Sequence, residues 1–141
     1  MIVIDSQDIL PPDAIDFVKS QWPIADKVHF GHEVEWKKEK KALIAKDDVQ
    51  IVGVLEYTIQ AGVMYIDEII IAHDQQGKGI GKMLMEHVEE IATNDHLHKI
   101  YLDTGATWPA VKFYEALGYI KTGDLPKHLA GQDYVIFSKF L

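Results

Sequence analysis

Gln76-Gly77-Lys78-Gly79-Ile80-Gly81 lies between an apolar run, Ile66 to Ala72, and an amphipathic one, Ile80 to Ile91. Three glycines in five residues leave the main chain bare. A ligand can therefore approach consecutive amide N–H groups, and the first turn of a following helix keeps its own amides unpaired. The helix dipole adds about half a positive charge at that end, and Lys78 and Lys82 add whole ones, so a diphosphate is a natural occupant. The bland alternative is a glycine-rich turn that merely joins a strand to a helix.

Two better-known glycine motifs do not fit. The dinucleotide fingerprint G-x-G-x-x-G would need a third glycine where Lys82 stands, and no acidic ribose partner follows at a suitable distance. A P-loop ending at Gly81-Lys82 would place Gln76 at its first glycine and Met83 at the magnesium-binding Ser or Thr.

Reading outward from the loop, Gln50 to Gln60 and Val63 to Ala72 are strands turned by Ala61-Gly62. Ala42 to Ala45 is a strand before them, joined through Lys46-Asp47-Asp48. The run Lys37-Lys38-Glu39-Lys40-Lys41 is read as a solvated turn rather than a phosphate patch. On the other side, Ile80, Met83, Leu84, His87, Val88 and Ile91 repeat at helical spacing and predict one buried stripe, with Glu86, Glu89 and Glu90 off it. Ile100 to Leu102 is a short strand. Thr107-Trp108-Pro109 opens a helix in which the proline is tolerated because first-turn amides are unpaired, and Gly118 closes it. Tyr119 to Thr122 and Tyr134 to Phe140 are the final strands. At the start, Met1 to Ile4 reads as an edge strand. Pro11-Pro12-Asp13 begins a helix that Pro23 stops, and Ile24 to Trp36 is helix or loop. The order predicts an α+β fold over residues 1–141 as a single domain: a mixed, mainly antiparallel sheet flanked by helices.

At 141 residues and 48% hydrophobic, the chain can build one sizeable core. A net charge of −8 argues against general nucleic-acid binding and suits a cationic amine. There is no cysteine, so a covalent intermediate on a thiol is impossible, and Ser6, Ser20 and Ser138 sit in no G-x-S-x-G elbow. Direct reaction between bound substrates is favoured over a covalent enzyme intermediate. No apolar stretch reaches membrane-spanning length, and Met1 to Asp5 lacks the features of a signal peptide, so a cytoplasmic location is expected.

The loop resembles the acetyl-coenzyme A loop of GCN5-related N-acetyltransferases, whose pattern is Q/R-x-x-G-x-G/A. Ile69-Ile70-Ile71 is similar to the strand that precedes it there, and Phe113-Tyr114-Glu115-Ala116-Leu117-Gly118-Tyr119 resembles the family's aromatic-Tyr-Glu helix end. The likeness covers Lys41 to Leu141. It implies an acetyl-CoA-dependent N-acetyltransferase working in a ternary complex. The cosubstrate would be held by Ile69, Ile71, Gln76, Gly77, Lys78, Gly79, Ile80, Gly81 and Lys82, with the Ile71 amide meeting the oxyanion. Tyr114 matches the family's tyrosine that protonates the departing sulfur; the alternative is that it only packs. Asp67 and Glu68 alternate onto opposite faces, and Glu68 is chosen as base, the alternative being a solvated carboxylate or one that holds the substrate's ammonium group. Thr107 stands where the family often has a cofactor-contacting Asn, and could instead cap the helix.

No metal is expected: His96-x-His98 and His29 with His32 lack a full ligand set, and His32-Glu33 is followed by Trp36 rather than a second histidine. The acceptor is a small-molecule amine or a peptide amine, with no nucleic-acid or membrane partner, and a homodimer is left open. Transfer of another acyl group, or a non-catalytic acyl-CoA sensor or interaction module that keeps the loop, are the competing readings.

Overall fold

The computed structural model describes residues 1–141, in two compact units, Met1–Trp36 and Lys37–Leu141. In the first unit α1 spans Pro12–Phe30 and ends on Gly31 in the left-handed region, whose N–H donates to Lys27 O. Pro23 does not stop this helix. The bond it removes would have gone to the carbonyl of exposed Lys19, which water can satisfy. The turns beyond it are tied within the unit: Trp36 Nε1 donates to both Asp26 carboxylate oxygens at 3.0 Å, and the Trp36 ring meets Trp22 and Phe30. Met1 to Ile4 forms no strand.

The second unit is a six-stranded sheet in the order β1-β2-β3-β4-β6-β5. Its strands are β1 Glu39–Asp47, β2 Gln50–Gln60, β3 Val63–Ile71, β4 Lys99–Gly105, β5 Ile120–Leu125 and β6 Tyr134–Phe140. Only β3 and β4 are parallel, as expected for strands joined through a helix, here α2 (Ile80–Asn94). The other pairings are antiparallel. α3 spans Ala110–Ala116. The α+β architecture read from the order of elements is therefore the observed one.

The charged run is not a turn. β1 begins at Glu39 and takes in Lys40 and Lys41, and such lysines suit an edge strand because they discourage pairing with another chain. Ala61 and Gly62 both have positive φ, 48° and 83°, the geometry whose twist matches a two-residue hairpin.

The core joins Leu55, Tyr57, Met64, Ile66, Ile100, Leu102, Val135 and Phe137 of the sheet to Leu84, Met85, Val88 and Ala92 of α2 and Tyr114 of α3. The buried stripe of α2 is turned from the one read in the sequence: Met83 is 67% exposed, and Met85 is fully buried. Pattern alone cannot separate two adjacent methionines; the helix's orientation on the sheet does. Glu89, expected off the stripe, is half-buried and accepts from Tyr119 Oη at 3.0 Å and from Lys139 Nζ at 2.9 Å.

Candidate functional site

The β3–β4 ladder begins at Val63 with Lys99 and ends at Tyr65 with Tyr101. Beyond that point both strands run on, β3 to Ile71 and β4 to Gly105, without pairing to each other. A gap therefore opens inside the sheet.

The main chain of β3 points into it by necessity. Ala72 N–H donates to Val52 O at 2.9 Å, and the register runs Gly53 to Ile71, Val54 to Ile70 and Leu55 to Ile69. Antiparallel partners alternate between exchanging hydrogen bonds and facing away, so Ile69 and Ile71 turn their N–H and C=O groups from β2 toward the gap. Their side chains pack against the core.

The same register carries a bulge. Glu56 pairs with Glu68 but Tyr57 pairs with Ile66, leaving Asp67 as the extra residue. This overturns the strict alternation expected for the two acids. Asp67 Oδ2 accepts from Thr58 Oγ1 at 2.7 Å, and Glu68 lies opposite Glu56; both partners alternate with core-facing Leu55 and Tyr57, so both acids share the sheet face away from the core. The bulge also keeps Ile69 and Ile71 on the side where Met64 and Ile66 lie.

At the end of β3 a 3₁₀ turn, His73–Gln75, leads into the glycine loop. Gly79 is the N-cap of α2 with φ 82°, no side chain caps the helix, and its first turn carries no acid. The amides there have no competing anion. A Cβ built on Gly77 or on Gly79 would meet nothing within 4 Å, so space above the loop is open, and both glycines sit at positive φ. Replacing Gly79 by Ala should therefore cost about 1 kcal/mol through backbone strain alone, read as a small fall in melting temperature. A larger loss would show a contact that the open space denies. Gln76 Nε2 reaches back to Ile71 O at 3.5 Å. Lys82 pairs with Glu86 at 3.7 Å, and Lys78 donates to Gln75 Oε1 at 3.0 Å.

Gap and loop form one cleft of about 910 Å³. Its walls include Ile66 to Ile71, Gln76, Gly77, Gly79 to Lys82, Leu102 to Thr104, Trp108, Phe113 and Tyr114. Of the residues singled out in the sequence, the structure brings together Glu68, Ile69, Ile71, Gln76, Gly77, Gly79, Ile80, Gly81, Lys82 and Tyr114. Lys78 and Thr107 do not line it. Thr107 does not cap α3 either: the cap position is Pro109, and no side chain bonds there. Trp108 and Phe113 were not read as site residues. Trp108 is set by Gly105, where a Cβ would come 2.3 Å from the indole, and a lone glycine at a strand end does not announce such a fit.

α3 ends with Gly118 at φ 90°; Gly118 N–H donates to Glu115 O and Tyr119 N–H to Tyr114 O, a Schellman closure. This fixes Tyr114, whose ring packs against Phe113, Tyr119 and Phe137. Burial alone pushes its phenol up to about 12. The hydroxyl therefore stays protonated throughout the neutral range. Where the β3–β4 ladder ends, Tyr65 Oη donates to Asp103 Oδ2 at 2.7 Å, and burial with that carboxylate raises the Tyr65 phenol well above its ordinary value. Roughly 13 Å of strand separates Asp67 from Ile71. The cleft thus has carboxylates toward the closed end of the gap and free amides with Lys82 at the loop end. No group of three or more His, Asp or Glu comes together in a way that could hold a metal ion. No helix is long and apolar enough to cross a membrane.

Residues 12–119 match the acetyltransferase (GNAT) family. The fold is similar to that of an acetyltransferase from Bacillus cereus ATCC 14579, at 22% identity over 97% of this chain and 98% of the other, with a TM-score of 0.75. It is similar to the ribosomal-protein-S18-alanine N-acetyltransferase from Escherichia coli, at 17% identity, 72% and 68% coverage and TM-score 0.68. A GNAT family acetyltransferase from Elizabethkingia anophelis with acetyl-CoA bound is similar at 20% identity, 72% and 76% coverage and TM-score 0.68. At these identities the likeness is one of fold.

Proposed function

The chain belongs to the acetyltransferase (GNAT) family, whose cosubstrate is acetyl-CoA, and from that premise we propose that residues 1–141 act as one domain moving an acetyl group to a primary amine by direct attack in a ternary complex. The observation that carries this reading is the continuity of the unpaired β3 edge with the uncapped, glycine-lined start of α2 in one cleft.

The residues present fit acetyl-CoA. Open space at Gly77 and Gly79 admits a diphosphate to the amides of α2, and Lys82 adds charge beside it. The main-chain groups of Ile69 and Ile71 offer a peptide-like arm the ladder that β4 leaves off, much as a strand is added to a sheet edge. The acetyl-CoA thioester supplies the activated acyl group. The Ile71 N–H donates to the negative charge that develops on the acetyl oxygen. Glu68 takes the proton that turns the acceptor's ammonium into an attacking amine, and Tyr114 donates to the sulfur as the C–S bond breaks.

The acceptor is a cationic amine, small or peptide-borne, entering from the side of Asp67, Glu68 and Asp103. Calorimetric titration with acetyl-CoA should give saturable binding, and a panel of polyamines, amino acids, aminoglycosides and peptides should show thiol release with at least one cationic member. Replacing Glu68 by Gln should lower kcat about a hundredfold without changing acetyl-CoA affinity. Binding of acetyl-CoA with an entirely inert panel would favour the sensor reading instead.

A further inference from the structure

Glu68 does not stand alone. The β2–β3 register places it directly opposite Glu56, on the sheet face away from the core, where cross-strand neighbours have their Cβ atoms about 5 Å apart. Like charges directly opposed in a ladder repel, and a shared proton or a nearby cation relieves that repulsion. The cation is present on one side only: Lys40 Nζ, from β1, lies 3.7 Å from Glu56 Oε2. The two carboxyls are therefore unequal by construction. Glu56 has the Lys40 ammonium beside it, and Glu68 has Glu56.

We propose that Glu56 is the positioning residue of the proton-accepting step, standing across the ladder from Glu68 at the cleft wall with Lys40 on its other side. The inference rests on the reading of Glu68 as base.

The electrostatics run in the same direction. Glu68 is raised from the ordinary carboxylate value first by hydrogen bonding to Glu56, then by the Glu56 charge and by desolvation, and least by Asp67, its neighbour at the bulge. Lys40 opposes it more weakly. β4 contributes Asp103, which accepts from Tyr65 Oη at 2.7 Å. A base works best when its affinity for a proton lies near the working pH, and an ordinary exposed glutamate is too weak a base for an ammonium group. The pair strengthens it without burying it.

The proton balance is simple. The acceptor R–NH₃⁺ gives one proton to Glu68, which passes it to solvent. The amine nitrogen forms its bond to the acetyl carbon, the C–S bond breaks with the electron pair leaving on sulfur, and the second nitrogen proton replaces the one that sulfur takes. One proton is released per turnover.

A base must be deprotonated to act, so kcat/KM rises with pH through the Glu68 titration. Glu56→Gln removes the opposing charge while keeping shape and hydrogen bonding; the acid limb should move to lower pH, making E56Q faster than the parent below the parent's midpoint. Lys40→Met should move the limb the other way. Two readouts keep the inference apart from the reading beneath it: the pH–rate profile with a reactive amine, and direct titration of the Glu68 carboxyl carbon by NMR in the free protein, for the parent, E56Q and K40M. Parallel downward shifts for E56Q in both would support the pair. An unmoved carboxyl titration in E56Q overturns it whatever the kinetics show. A carboxyl titration that moves while the acid limb stays, or a limb that survives Glu68→Gln, removes Glu68 as base and the role of Glu56 in the step with it.

Discussion

Replacing Tyr114 by Phe should lower kcat by about a hundredfold or more and leave acetyl-CoA affinity within about twofold. The change is confined to one oxygen. The ring keeps its packing against Phe113, Tyr119 and Phe137, and burial is the sole cause of the shift in its phenol, so no neighbouring charge or protein hydrogen bond is lost with it. Stability should hold for the same reason, whereas truncation to Ala would cost about 3–5 kcal/mol and confound the result.

The loss in Y114F would come from the departing sulfur. A phenol pushed up to about 12 holds its proton more tightly than a thiol near 8.5 does, so most of the gain lies in the hydrogen bond to developing thiolate charge. The proton itself would pass over as the product nitrogen sheds its own. Because the group is protonated far above neutrality, Tyr114 cannot set an alkaline limb between pH 7 and 10; a Y114F profile should be the parent's shape, lowered. Steady-state thiol release beside calorimetric titration would check both halves. A kcat within threefold of the parent would make Tyr114 a packing residue only, and a binding module would show acetyl-CoA response unaltered by the change.

Gly53→Val should cost about 2 kcal/mol of stability, a drop of several degrees in melting temperature, and weaken acetyl-CoA binding with it. Gly53 lies on β2 beneath the start of α2. A Cβ there would stand 2.8 Å from Ile71 Cδ1, 3.2 Å from Ile80 Cγ2 and 3.3 Å from Leu84 Cδ1. Alanine asks the tip of Ile71 to turn and Ile80 and Leu84 to give by a few tenths of an ångström, so G53A should cost less than G53V. Valine adds two further carbons against Ile80 and Leu84, which belong to the helix whose first amides line the cleft. Relief comes by lifting that helix end, and the loop moves with it. Thermal unfolding of G53A and G53V, each with and without saturating acetyl-CoA, separates the two effects. An unchanged melting temperature for G53V would mean that α2 does not press on β2 at this point.

Much of the site was legible before any coordinates. The glycine loop, the strand before it and the tyrosine helix carry their meaning in short stretches, because main-chain exposure at Gly77 and Gly79 and the closure at Gly118 are local properties of residues that tolerate positive φ. Three features were not. Pro23 was read as a stop, yet the helix continues because the carbonyl it orphans belongs to a solvent-exposed turn and Trp36 secures the far end through Asp26. Met83 and Met85 are interchangeable in a hydrophobic pattern and were told apart only by the sheet beneath. Asp67 and Glu68 were assigned opposite faces by alternation, a rule that one extra residue reverses.

The sequence by itself therefore determined the α+β class and the family, and it marked the glycine loop that lines the cleft. These rest on composition, order of elements and contiguous motifs. Tertiary structure alone decided where β3 and β4 part, which of their main-chain groups face the gap, that both acids share one side, and that Glu56 and Lys40 stand beside Glu68. Those are matters of register between strands distant in the chain, and a residue's periodicity records which side it favours but never who lies across from it.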